Sequence, residues 1–135
     1  MSKSYDKAIS LIKERDVKYV NFRFTDTRGK MQQVTQHIST VDGSMWEKGL
    51  QFDGSSIAGW KVINESDMTL MPDPETAVMD PFTAQPTINV FCDVLDPDSN
   101  KAYSRDPRSV AKRAEAFVKS SGIGDTVFFG PEAEF

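Results

Sequence analysis

The sequence predicts an α+β fold, in which a small mixed β-sheet with packed helices is followed by the first helix and strand of a second unit. Three observations carry this prediction. A helical apolar period opens the chain, short strand-like runs follow it up to residue 95, and a new helical pattern begins after a polar, turn-forming stretch at residues 96–100. We therefore predict one domain at residues 1–100 and the start of another at residues 101–135.

Composition excludes several classes of protein. The 135 residues include 39% hydrophobic and 27% charged side chains, which is typical of a folded domain. A net charge of -4 without a basic block gives no reason to expect a nucleic-acid partner. No stretch approaches the roughly 20 apolar residues of a membrane span, and the N-terminus lacks a secretion signal. Cys92 is the single cysteine, so we expect a small buried side chain and a reducing, cytoplasmic environment.

The first third of the chain is predicted to form a helix, a hairpin and a second, shorter helix. Apolar residues recur at helical spacing in residues 5–12, and the period changes to two in residues 19–24. The turn at residues 26–29 contains a glycine that can adopt positive φ, so residues 30–35 are expected to return as the second strand of a hairpin. Residues 42–49 are expected to form one or two helical turns ending at a glycine.

Three apolar or β-branched runs, at residues 69–71, 76–79 and 87–94, are predicted to be short strands. Prolines interrupt the stretches around them: Pro72, Pro74, Pro81 and Pro86. Because proline cannot donate to a strand ladder, we expect these strands to lie at the edges of the sheet or to be paired at their ends only.

The second unit is predicted to begin with a well-capped helix. Asp106 is suited to the N-cap and Pro107 to the first helical position, and the helix is expected to end near Gly122. Its apolar positions share one face. Residues 126–129 are predicted to be a new strand, so the helix and strand of this unit should have large apolar side chains without partners.

One loop, LQFDGSSIAGW at residues 50–60, combines apolar anchors, glycines and small hydroxyls around a single acid. Phe52, Ile57 and Trp60 are expected to bind the loop to the core, which leaves Asp53 exposed at its tip. A carboxylate held in this way can bind a cation or accept a proton from a substrate. The alternative is a local turn in which Asp53 only caps backbone amides.

The last residues contain a second group of candidates. In an extended chain Glu132 and Glu134 would project from the same side, with Cα atoms roughly 6 to 7 Å apart. Oxygen ligands of this kind suit Mg²⁺ or Mn²⁺, although two carboxylates cannot complete an octahedral site. Alternating acids on a solvent-facing strand are the alternative interpretation.

Four motifs together resemble one family. They are FDGSSI at residues 52–57, INESDM at residues 63–68, RDPR at residues 105–108 and GPEAEF at residues 130–135. In this order they resemble the N-terminal part of bacterial type I glutamine synthetase. The resemblance implies a β-grasp fold for residues 1–100 and a truncated catalytic domain in residues 101–135.

The resemblance also implies a function for the full-length protein, which is ATP-dependent ligation of ammonia to glutamate through γ-glutamyl phosphate. Asp53 and Ser56 match the ammonium-binding positions, Asp53 being the catalytic one, on a loop that enters the active site of a neighbouring subunit. Glu132 and Glu134 match ligands of two different metal ions, Mg²⁺ or Mn²⁺, with Ala133 where the family often has proline.

The implied partners are glutamate, ammonium and ATP, and the implied assembly is a homo-oligomer, a dodecamer in the resembled family. Asp67 would help to order the interface of the Asp53 loop, or would be a turn acid. The rival hypothesis is a stand-alone β-grasp module that binds a partner without catalysis. In that case the loop would dock the partner and the terminal acids would be surface charges.

Overall fold

The computed structural model describes residues 5–60 and 67–134. Within these residues, six strands form one mixed sheet. The strands are β1 (Tyr19–Thr25), β2 (Met31–His37), β3 (Leu50–Asp53), β4 (Asp67–Pro72), β5 (Val78–Met79) and β6 (Thr87–Leu95). The helices are α1 (Asp6–Glu14), α2 (Gly43–Lys48) and α3 (Pro107–Ser121). The α+β class, the β1–β2 hairpin and the three helices are therefore confirmed.

Strand β6 is at the centre of the sheet. The strand order is β2-β1-β6-β4-β3, and β5 also pairs with β6. Strands β1 and β6 are parallel, whereas the other pairs are antiparallel. The expectation of edge positions for the proline-flanked strands is wrong for β4 and β6. Pro81 and Pro86 lie in connecting segments and Pro72 is the last residue of β4, so these residues leave the ladder of β6 intact.

The hydrophobic core lies on the face of β1 that the alternating pattern predicted. Val20, Phe22 and Phe24 are all buried there. The same cluster includes residues from two helices and from the central strands: Ala8, Ile12, Trp46, Met68, Leu70, Ile88, Val90, Cys92 and Val94. Helices α1 and α2 therefore contribute their apolar sides to a single core, as expected for an α+β domain, whereas α3 contributes no residue to this cluster.

The opposite face of β1 carries a buried polar network. Asn21 and Asn89 are 4% and 5% exposed, and Asn21 Nδ2 donates to Asn89 Oδ1 at 2.9 Å. Asp80 accepts from Asn89 at 3.1 Å and from Arg23 at 3.0 Å. The hydrogen bond from the Phe82 N–H, followed by that from Asn89, lowers the pKa of Asp80. The alternation predicted that Asn21 faces away from the core, but its burial depends on a partner 68 residues away.

Helix α3 begins and ends as predicted. Asp106 is its N-cap, Pro107 is its first residue and Gly122 ends it with a left-handed φ of 71°. Arg108 pairs with Asp93 at 2.9 Å and also with Asp73. The first turn of α3 is thus attached to the sheet of the first unit. The division of the chain at residue 100 stays a prediction.

The strand predicted at residues 126–129 is wrong for this structure, since residues 126–134 have no regular secondary structure. An isolated strand is not stable without a neighbouring strand to pair with. The expected exposure of the second unit is confirmed for its described phenylalanines, whereas Tyr103 is partly buried against the core. Phe117, Phe128 and Phe129 are 67%, 91% and 88% exposed.

The burial of Cys92 and the lengths of the helices were also predicted from the sequence. Cys92 is buried, as expected for a small apolar side chain, and this burial raises the pKa of its thiol. Among the helices in residues 5–60 and 67–134, none is long and apolar enough to cross a membrane.

The fully buried Asp106 provides a test of how α3 is attached. Its carboxylate accepts from the N–H groups of Val94 and Ser109, both at 3.2 Å, and from the Ser109 hydroxyl at 2.7 Å. Asp106→Ala removes a helix cap and leaves the buried Val94 N–H without its acceptor, so the free energy of unfolding should fall by about 2–4 kcal/mol. Urea denaturation measures this loss.

Asp42→Ala is the matched control, because Asp42 is an exposed N-cap that accepts only from its own helix, at Ser44 and Met45. This control should lose less stability than Asp106→Ala. Equal losses in the two variants would mean that the Val94 hydrogen bond contributes nothing.

Candidate functional site

Asp53 is exposed, as predicted, but residues 50–53 form β3, so Asp53 is the last residue of a paired strand and not the tip of a loop. Its Oδ1 accepts from the Ser55 N–H at 2.9 Å and from the Ser55 hydroxyl at 2.6 Å, which starts the short 3-10 helix Gly54–Ser56. The local turn in which Asp53 caps backbone amides, the alternative to a binding role, is therefore present. It also fixes the direction of an exposed carboxylate, so the turn and a binding role are compatible.

Apolar side chains hold both ends of this loop, and the predicted anchors are confirmed. Ile57 is 9% exposed and Trp60 is 5% exposed, while Phe52 is partly buried against the core. The Phe24 ring of β1 lies 5.1 Å from the Phe52 ring and 5.4 Å from the Trp60 ring, measured between centroids. Phe24 thereby connects the two ends of the loop through one aromatic cluster.

The far end of the loop turns at Gly59, which has a φ of 83°. A Cβ atom at this position would be strained by that angle and would lie 3.2 Å from the Thr27 hydroxyl. Thr27 belongs to the β1–β2 turn and donates to the Ala58 carbonyl at 3.3 Å. In the same turn, hydrogen bonds from the Gln32 side chain and then from the backbone lower the pKa of Asp26. The hydrogen-bonded β1–β2 turn therefore contacts and supports the far end of the loop.

The structure brings Asp53 and Ser56 together at one hollow of about 350 Å³. Its other lining residues come from β1, β2 and the loop itself: Phe24, Gln32, Gln33, Val34, Phe52 and Ile57. The hollow has apolar walls, and a carboxylate, a hydroxyl and two amides provide its polar groups. Such a set can bind a small cation and accept a proton from it.

Asp67 lies directly opposite Asp53 in the β3–β4 register. Residues at opposed positions of an antiparallel pair share one face, and like charges placed there destabilise the pair unless a cation compensates them. Sequence reasoning treated Asp67 only as an interface or turn acid and missed this pairing. Residues 61–66, which contain most of the INESDM motif, lie outside the described residues.

Glu132 and Glu134 are exposed in the irregular segment 126–134. Within residues 5–60 and 67–134, no group of three or more His, Cys, Asp or Glu side chains is arranged to hold a metal ion. The assignment of the two glutamates as ligands stays a prediction.

Sequence reasoning also missed Tyr103 and Arg105. The Tyr103 hydroxyl donates to the Trp60 carbonyl at 2.9 Å, and Arg105 Nη1 donates to the carbonyls of Gly59 and Trp60 at 2.6 and 3.3 Å. These contacts join residues more than 40 positions apart, so no local pattern predicts them.

Comparison with known proteins identifies the first domain. Residues 16–97 match the family model of the glutamine synthetase β-grasp domain. The cryo-EM structure of Plasmodium falciparum glutamine synthetase superposes with a TM-score of 0.79 and 24% identity, over 90% of this chain and 23% of that one. At this identity the superposition supports the fold alone, and with the family match it confirms the β-grasp expectation.

Two relatives of known name are considerably more similar in sequence. A glutamine synthetase of Rhizobium meliloti (strain 1021) is 64% identical over 130 residues, which are 96% of this chain and 28% of that protein. A 3-hydroxylaminophenol mutase of Cupriavidus pinatubonensis (strain JMP 134 / LMG 1197) is 58% identical over 135 residues, which are 100% of this chain and 29% of that protein. The chain thus spans less than a third of the length of the relatives it matches.

Proposed function

The chain belongs to the glutamine synthetase family through its β-grasp domain, and we propose that it is the N-terminal portion of an ATP-dependent glutamate–ammonia ligase. The reaction joins ammonia to glutamate through γ-glutamyl phosphate and releases ADP and phosphate. The observation that carries the proposal is the pairing of the family match with an exposed Asp53 on a loop anchored at both ends.

Asp53 has two roles in this proposal. Its negative charge attracts ammonium to the hollow that it shares with Ser56, and its carboxylate accepts a proton as the ammonia nucleophile forms. The Ser56 hydroxyl can orient the cation by accepting one of its hydrogen bonds. Asp67 adds a second negative charge at the opposed position of the β3–β4 pair.

The proposal includes a divalent metal ion near each of Glu132 and Glu134. Both side chains offer only oxygen donors, which suit Mg²⁺ or Mn²⁺, and their exposure leaves them accessible to ligands from the rest of the protein. When bound, such ions would neutralise the charge on the phosphates of ATP. The remaining ligands and the ATP site would come from parts of the protein other than this chain.

The proposed assembly is a homo-oligomer, a dodecamer by resemblance to the family. In it the Asp53 loop of one subunit completes the active site of its neighbour. The protruding loop suits this role because its anchors are buried while its acid is exposed. An acid held in this way reaches outward without the entropy cost of ordering a flexible segment.

Asp53→Asn tests the role of the charge. This substitution keeps the shape of the turn, since Asn serves such turns about as well as Asp. In the full-length protein the apparent affinity for ammonium should fall and turnover should drop by ~10² or more, as expected for loss of a positioned base. Binding of glutamate and ATP should persist. Steady-state kinetics with ammonium varied measures these effects.

Asp42→Asn is a closely matched control. Asp42 Oδ1 accepts from the Ser44 N–H at 2.9 Å and from the Ser44 hydroxyl at 2.6 Å, the same distances as in the Asp53–Ser55 turn. The control should leave the kinetics unchanged. If Asp53→Asn also has the parent kinetics, Asp53 is a turn residue and takes no part in the reaction.

Glu132→Ala and Glu134→Ala test the metal assignment. Each variant of the full-length protein should bind Mn²⁺ more weakly and lose most of its activity while the subunits still assemble, because each removes an oxygen ligand. Isothermal titration with Mn²⁺ and size-exclusion chromatography measure the two properties. Glu14→Ala, at the exposed end of α1, serves as the control. Parent-like metal dependence in both variants would exclude these residues as ligands.

The reaction itself should be tested against the chemistry named for the second relative. The full-length protein should form glutamine from glutamate, ammonium and ATP. If it instead isomerises 3-hydroxylaminophenol and forms no glutamine, the ligase proposal is wrong even though the β-grasp domain is shared.

A further inference from the structure

We propose that Tyr103 and Arg105 are positioning residues that hold the Asp53 loop in the conformation in which it presents its carboxylate to ammonium. The proposal rests on the proposed function. It assigns a role to two side chains that lie outside the loop and are separated from it in sequence by more than 40 residues.

The two side chains bind the loop through its backbone. Tyr103 and Arg105 together place three hydrogen bonds on two consecutive carbonyls, those of Gly59 and Trp60. Hydrogen bonds from a charged guanidinium are about twice as strong as neutral ones. The Tyr103 ring also packs edge-on against Trp60, at 5.5 Å between centroids and an interplanar angle of 65°. These contacts fix both the main chain and the anchor side chain at the end of the loop.

The segment that carries the two residues is attached through its main chain, while the Arg105 side chain itself is exposed. The Tyr103 N–H donates to the Val94 carbonyl of the central strand at 2.8 Å, and the Asp106 N–H donates to the Tyr103 carbonyl at 3.1 Å. Ala102 forms an antiparallel bridge with Leu95. Because this segment is fixed, the Tyr103 hydroxyl and the Arg105 guanidinium can restrain the loop carbonyls that accept from them.

The conformation of the loop explains why it needs this restraint. Gly59 has positive φ, but glycine adopts negative φ about as readily, so this residue does not by itself fix the turn. Within the loop, two backbone hydrogen bonds close short turns, from Ile57 N–H to Gly54 at 3.1 Å and from Trp60 N–H to Ile57 at 3.2 Å. Short turns of this kind are weakly cooperative, so external contacts must select one conformation.

Hydrogen exchange and kinetics of the full-length protein test the proposal together. In Arg105→Ala, exchange of the Ile57 and Trp60 amides should rise by ~10-fold, the factor that corresponds to about 1.4 kcal/mol. The KM for ammonium should rise by a similar ~10-fold, whereas the KM values for glutamate and ATP should stay within about twofold, because only the ammonium contact depends on the loop.

Two further variants keep the test independent of folding failure. Tyr103→Phe removes one hydroxyl while keeping the ring on Trp60, and it should produce a smaller change in the same two readouts. Arg105→Lys keeps the charge but cannot reproduce a planar guanidinium, so it should restore only part of the protection. Arg15→Ala, at the exposed C-cap of α1, removes a charge elsewhere and should behave like the parent.

Three results would overturn the positioning role. One is parent-like exchange of Ile57 and Trp60 in both Arg105→Ala and Tyr103→Phe. Another is faster exchange with an unchanged KM for ammonium, provided that Asp53→Asn does raise that KM. The third is an equal rise in KM for all three substrates with a lower melting temperature, which would indicate a general structural role. If Asp53→Asn itself has parent kinetics, the proposed role of Asp53 in binding ammonium fails instead.

Discussion

Much of this structure depends on the part of β6 that lies beyond the end of β1 and therefore has no strand to pair with on that side. Strand β1 pairs with β6 only as far as Phe91, while β6 continues to Leu95. Val94 is fully buried, so its backbone groups need partners beyond the end of β1. The Asp106 carboxylate accepts a hydrogen bond from the Val94 N–H at 3.2 Å, and the Tyr103 N–H donates to the Val94 carbonyl at 2.8 Å. A short segment and a helix cap therefore replace the missing strand.

The same segment connects the centre of the sheet with the candidate site. The chain turns back after β6 through hydrogen bonds between Asp96 and residues 100 and 101, at 2.8 and 2.9 Å. It then runs along β6, binds the end of the Asp53 loop and starts α3. A polar stretch at residues 96–100 thus brings the following residues back onto the sheet. The end of the loop is consequently attached, through this segment, to the central strand β6.

Most of the local structure could be predicted from the sequence, because periodicity and caps act within a few residues. The helices, the hairpin and the loop anchors are examples. The central position of β6 could not be predicted. Proline is disfavoured inside a strand ladder, but this preference does not say which strand lies between two others. The strand at residues 126–129 failed for the related reason that a strand needs a neighbour. The contacts of Tyr103 and Arg105, like the Asp53–Asp67 pairing, arise only when the topology is known.

The geometry around Asp53 shows why a turn motif alone does not identify a site. Asp42, Asp73, Asp80 and Asp96 also accept a hydrogen bond from the N–H two residues later, as Asp53 does. What distinguishes Asp53 is its surroundings. It stands opposite a second acid, borders a hollow together with Ser56, and ends a strand whose residue Phe52 packs against Phe24. The surroundings of Asp53 combine a like charge with an aromatic support, and this combination is the structural basis for proposing a bound cation there.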